Sequence, residues 1–139
     1  MTARTKSRKR ALDILFESEL QGLSPGGSLA GRRELNDPPV NEYTVQLVEG
    51  VVAEGERIDA LLAEHARGWT LDRMPGVDRN LLRIATYEIL CVDDVPDAVA
   101  ISEAVELARD LSTDESPGFV NGLLSAIVQS KAAATPTDT

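Results

Sequence analysis

Apolar residues recur at helical spacing along most of the chain. Leu12, Leu15, Phe16, Leu20 and Leu23 fall at i, i+3, i+4, i+8 and i+11, which predicts an amphipathic helix ending near Gly22. Residues 24–39 hold Gly26, Gly27, Gly31, Pro38 and Pro39 and few apolar residues, so they read as a loop with one short turn around Leu29–Leu35. Asn41 is a fitting N-cap, with Val40 before it as a hydrophobic staple. A stripe follows through Thr44, Leu47, Val48, Val51, Val52, Ile58, Leu61 and Leu62. Gly50 and Gly55 leave two readings open: one helix over residues 42–66, or two helices broken near Gly55.

Gly68 ends that segment, and Trp69–Gly76 reads as a connection in which Trp69 plugs the end of the core. From Val77 a strong helix begins, with Leu81, Leu82, Ile84, Ala85, Ile89 and Leu90 spread over a broad apolar face; Asp94 and Pro96 close it. Val99-Ala100-Ile101 reads as an extended lead-in, and Ser102 as the cap of a helix with stripe Val105, Ala108 and Leu111. The last helix has the clearest start, with Ser116 at the N-cap and Pro117 at the first helical position. Its stripe is Val120, Leu123, Leu124, Ile127 and Val128. No stretch alternates with period two, so the expected fold is all-α, a bundle of about seven helices.

Composition sharpens this picture at one end. The chain has 139 residues, enough for one domain with a real core, and a formal charge of −9. Residues 1–10 hold five of the 14 basic residues (Arg4, Lys6, Arg8, Lys9 and Arg10) and none of the 23 acidic ones. Residues 11–139 therefore carry nine basic against 23 acidic residues, a net −14. The expected layout is a basic arm over 1–10, a helical domain over 11–131 and a flexible tail over 132–139. Cys91 is the single cysteine, in the apolar run Ile89-Leu90-Cys91-Val92, which reads as buried and points to a reducing compartment. With no apolar run long enough for a signal peptide or a membrane span, the expectation is a cytoplasmic protein.

Enzymatic chemistry finds little footing. One histidine, His65, and one cysteine offer neither an oriented nucleophile–base pair nor four zinc ligands. No Gly-rich phosphate loop is present, and Glu103 and Glu106 at i, i+3 read as a solvated helix face. No catalytic residue, metal or cofactor is expected.

Binding is better supported. Arg4, Lys6, Arg8, Lys9 and Arg10 could neutralise about five phosphates, giving a salt slope of roughly −3 on a single strand. Single-stranded RNA also needs stacking surfaces and groups for base edges. Glu115-Ser116-Pro117-Gly118-Phe119 can supply them at a helix N-terminus, with Phe119 about 100° off the Val120 stripe.

Three motifs then resemble a known family. Val77-Asp78-Arg79-Asn80-Leu81-Leu82-Arg83-Ile84-Ala85-Thr86-Tyr87-Glu88-Ile89-Leu90 resembles the central helix of the NusB family of bacterial transcription antitermination proteins. The likeness continues through Val95-Pro96 and Val99–Arg109 to Phe119-Val120-Asn121-Gly122-Leu123-Leu124, and leaves out only residues 24–40 and the tail. It implies two packed helical sub-bundles. It also implies binding of the single-stranded boxA element of ribosomal RNA leader transcripts together with ribosomal protein NusE, acting indirectly on RNA polymerase with other antitermination factors.

Carried over by position, the RNA side is Arg4, Lys6, Arg8, Lys9, Arg10, Glu115, Ser116 and Phe119; the NusE side is Phe16, Arg73 and Asp78. Pro117-Gly118 departs from the basic or polar pair usual before the phenylalanine, Ser102 replaces an asparagine, and Phe16 stands where tyrosine is common. A related fold precedes the catalytic domain of RNA cytosine methyltransferases, for which a chain of this length leaves no room. Two alternatives stay open: an acidic protein–protein adaptor whose basic arm is incidental, and a homodimer that hides the RNA surface.

Overall fold

The packing converges on one helix, Gly76–Cys91, where ten of 16 residues are buried. The computed structural model describes residues 2–35 and 40–134. Among them the helices are α1 (Ala3–Gln21), α2 (Pro25–Leu35), α3 (Glu42–Ala53), α4 (Gly55–His65), α5 (Gly76–Cys91), α6 (Asp97–Leu111) and α7 (Ser116–Ala134), with a 3-10 turn at Leu71–Arg73. No strand occurs among the described residues. Helices α1–α3 pack on one another, α7 packs on α4 and α6, and α5 touches both groups. The result is two sub-bundles sharing a central helix.

Contacts at the two ends of α5 set the direction of its neighbours. Arg8 of α1 meets Glu88 near the end of α5, while Glu19 meets Arg79 near its start, so α1 runs antiparallel. Ser112 at the end of α6 reaches Asp78, and Glu103 reaches Arg8, so α6 is antiparallel too. Ser116 and Lys131 of α7 meet Asp78 and the Ile89 carbonyl respectively, so α7 is parallel. The core between them includes Ile14, Leu47, Ile58, Leu62, Leu82, Leu124 and Ile127, all essentially without exposure. Each such side chain gains roughly 1.5–3 kcal/mol by leaving water, before the entropy of ordering the chain is set against it.

One open reading is decided and several local expectations are corrected. Residues 42–66 form two helices, broken at Glu54 (φ −100°, ψ 14°). Gly50 lies inside α3 because a Cβ there would overlap the Tyr87 ring of α5. Most of the expected loop is α2: Ser24 Oγ accepts from Gly27 N–H, Pro25 fits the first helical position, and Leu29 anchors the helix in the core. Residues 36–39 lie outside the described residues. Helix α6 starts at Asp97, so it absorbs Val99-Ala100-Ile101, and Ser102 is an exposed mid-helix residue rather than a cap. Cys91 is exposed, because the last residue of α5 turns away from the core. Leu20, Leu23 and Leu111 are also exposed, as is Trp69 at 51%.

Candidate nucleic-acid interface

The basic segment does not stand apart as an arm. Helix α1 begins at Ala3, capped by Thr2, whose Oγ1 accepts from Thr5 N–H at 3.0 Å. Residues 3–10 are its first two turns, and helical periodicity sorts their charges onto two faces.

The inward face carries Arg4 and Arg8. Arg8 Nε donates to both oxygens of Glu88 at 3.0 and 2.9 Å, and Nη1 donates to Glu103 Oε1 at 2.9 Å. The Arg8 and Glu88 side chains are 5% and 1% exposed. Tyr43 donates its hydroxyl to Glu88, and Arg4 stacks over the Tyr43 ring at 4.2 Å while bonding both Asp94 oxygens at 3.2 Å. Burial raises the Glu88 carboxyl above the ordinary carboxylate range, although Tyr43 and Arg8 pull it back. Burial and the Glu88 charge together raise the Tyr43 phenol. Arg8 is therefore a core residue. It was expected on the RNA side, but here its Nε and Nη1 are turned onto carboxylates and away from solvent.

The outward face carries Lys6, Lys9 and Arg10 at i, i+3 and i+4. Lys6 is exposed. Lys9 pairs with Asp13 at 3.0 Å, but both side chains are more than 40% exposed, so the pair is weak enough for a phosphate to compete. Arg10 is half-buried and makes contacts of its own. Lys6 and Lys9 are thus the more open cations of this face, flanked by Arg10.

The second expected RNA element lies at the opposite end of α5. Asp78 and Glu88 are ten residues apart, about 15 Å along the helix axis. Asp78, 2% exposed, accepts from Ser112 Oγ at 2.6 Å and from Ser116 Oγ at 2.8 Å, and Ser116 Oγ accepts from Thr113 N–H. Ser116 is thus not a free polar group for a ligand; it locks the start of α7 onto α5. Asp78, expected on the partner side, is buried at this same junction. Glu115 is exposed and Phe119 half-buried, its ring tilted 58° against Trp69 with centroids 6.1 Å apart.

The residues expected on the partner side converge at the same end. The half-buried Phe16 ring lies over Gly76, where a Cβ would overlap it, and Arg73 is exposed on the 3-10 turn. Sequence reasoning missed the polar seam beside them. Glu19 accepts from Arg79, Arg83 and Asn80, and Arg83 continues to Asp59 of α4. Burial opposes the Glu19 charge, but these donors outweigh it and hold the carboxyl below its ordinary range. The signal was a run of three cation- or amide-bearing residues, Arg79, Asn80 and Arg83, on one side of α5.

The NusB family model matches residues 5–129. The chain belongs to the NusB family. Among NusB relatives, the transcription antitermination protein NusB of Salinispora tropica is 61% identical over 132 residues, covering 93% of this chain and 97% of its own. The protein of that name from Acidothermus cellulolyticus is 56% identical, with 97% and 93% covered. The solved structure of T. maritima NusB superposes with a TM-score of 0.82 at 32% identity, covering 92% of each chain. A crystal structure of the antitermination factors NusB and NusE in complex with double-stranded RNA contains a chain matching at TM-score 0.79 and 28% identity, covering 91% of this chain and 96% of that one. The seven-helix NusB architecture and its two sub-bundles are thus those of this chain.

Proposed function

We propose that this protein is an RNA-binding transcription antitermination factor that works with a NusE-type ribosomal protein. The observation that carries this is near-full-length membership of the NusB family, with a solved relative in complex with NusE and RNA. The RNA is the boxA element of ribosomal RNA leaders. Lys6 and Lys9 supply phosphate contacts, Arg10 extends that face, and Phe119 with the neighbouring Glu115 supplies contacts to bases. Arg4, whose side chain is 41% exposed, contributes beside them, while Arg8 and Ser116 hold these groups in place.

Phe16 and Arg73 give NusE its contacts, with Asp78 shaping that face from beneath. The net −14 on residues 11–139 favours a basic protein partner, and the assembled complex acts on RNA polymerase in the cytoplasm. The role is one of binding rather than catalysis.

The test measures fluorescence anisotropy of labelled boxA RNA and a scrambled control, with and without NusE, at two salt concentrations. Preference for boxA that tightens when NusE is added is expected. Equal affinity for both RNAs with NusE present would favour the adaptor reading. Sedimentation of the free chain decides whether a homodimer competes with RNA.

A further inference from the structure

The end of α4, the turn after it and one face of α7 enclose a groove of about 350 Å³. Its walls include His65, Arg67, Trp69, Phe119, Gly122 and Leu123. Trp69 is the chain's only tryptophan, and it is 51% exposed although its backbone N–H is fixed to the Ala66 carbonyl at 2.8 Å. An indole set against the Phe119 ring yet half open to water is an unusual use of the largest apolar side chain. On the α7 side, a Cβ at Gly122 would meet nothing within 4 Å, so this wall is open. His65 Nε2 is withdrawn from solvent and lacks a hydrogen-bond partner, since Glu64 Oε2 is 3.6 Å away. Arg67 is exposed at the rim.

Resting on the RNA-binding reading above, we infer that this groove is a base-stacking subsite in which Trp69 receives one unstacked base of the bound single strand. Two aromatic rings at 58° form a corner: a base stacked on the indole presents its edge to Phe119. Arg67 adds a planar cation for the adjoining phosphate, complementing the strand's charge on a chain that is otherwise strongly acidic. The groove adjoins Phe119, and so continues the surface proposed for RNA rather than opening a separate one. Its end of α5 lies about 15 Å along the axis from the Arg8 end, a span of about four to five nucleotides at stacked spacing.

The single tryptophan makes the test direct. Indole emission of the full-length chain, bound first to a NusE that lacks tryptophan, is followed as boxA RNA is titrated. Quenching that saturates with RNA binding is expected, and Trp69→Ala should weaken RNA affinity by about tenfold while Trp69→Phe retains most of it. Arg67→Ala should flatten the salt slope by roughly 0.7. Unchanged emission and affinity, with RNA still held by Lys6 and Lys9, would overturn the subsite and leave the proposed function standing. Loss of NusE binding by Trp69→Ala, with RNA affinity intact, would overturn it in favour of a protein-docking face. Failure of any RNA to bind would overturn both.

Discussion

Replacing Arg8 by methionine separates a core role from a ligand role. The side chain keeps its length and apolar stem but loses all donors to Glu88 and Glu103. Glu88, 1% exposed, then keeps only the Tyr43 hydroxyl. Removing one partner of a buried ion pair costs about 3–5 kcal/mol, because the other charge is left behind. At roughly 3 °C per kcal/mol for a chain of this size, thermal unfolding followed by circular dichroism should drop by about 10–15 °C near pH 8.

The loss should depend on pH in a definite direction. Glu88 is already raised by burial in the native protein, and losing Arg8 raises it further. A carboxyl whose folded value exceeds its unfolded value binds its proton more tightly when folded. Stability therefore falls as pH rises from the ordinary carboxylate range through the folded value. The gap between wild type and Arg8→Met should accordingly narrow on acidification from pH 8 towards pH 5. Adding Glu88→Leu should recover much of the loss, since no charge is then stranded. A variant that melts within about 2 °C of wild type yet has lost RNA affinity would refute this reasoning and return Arg8 to the ligand set.

Other predictions follow from the same packing. Asp78→Ala removes the shared acceptor of the half-buried Ser112 and the buried Ser116 hydroxyls at the α5–α6–α7 junction and should cost about 1–3 kcal/mol, read by chemical denaturation. Gly76→Ala pushes a methyl into the Phe16 ring; it should cost about 1–3 kcal/mol and weaken NusE binding, measured by calorimetry. Glu19→Gln should destabilise at neutral pH, with the gap to wild type closing as pH falls. A carboxyl held below its unfolded value stabilises above that value and loses the contribution as it is protonated.

The sequence made α5 legible because a helix buried on several sides must spread its apolar residues widely. The break at Gly55 was legible as one of two readings. Helix α2 was hidden by three glycines, although Ser24-Pro25 is a cap followed by a first-turn proline. The fate of Arg8 was hidden more deeply. Counting back from Leu15 and Ala11 places Arg8 on the apolar stripe, but a charge there is tolerable only with a buried partner, and Glu88 is 80 residues away. Glu88 itself, between the buried Tyr87 and Ile89, was the complementary signal. Charge counting over residues 1–10 treated as one arm what the helix divides into an inward clamp and an outward, solvent-facing side. Likewise Ser116 looked like a cap by spacing alone, and only the approach of Asp78 from another helix reveals where its hydroxyl goes.

The central claim is that the outward face of α1 binds RNA while its inward face holds that helix in place. The most direct measurement is the dependence of log K on log salt for boxA RNA in the presence of NusE. It compares wild type, Lys6→Ala/Lys9→Ala and Arg8→Met, each at a temperature where it is folded. The account predicts a slope about 1.4 shallower for the lysine pair, at roughly 0.7 per phosphate contact, and no change for Arg8→Met. A slope that is unchanged by the lysine pair and flattened by Arg8→Met would contradict it.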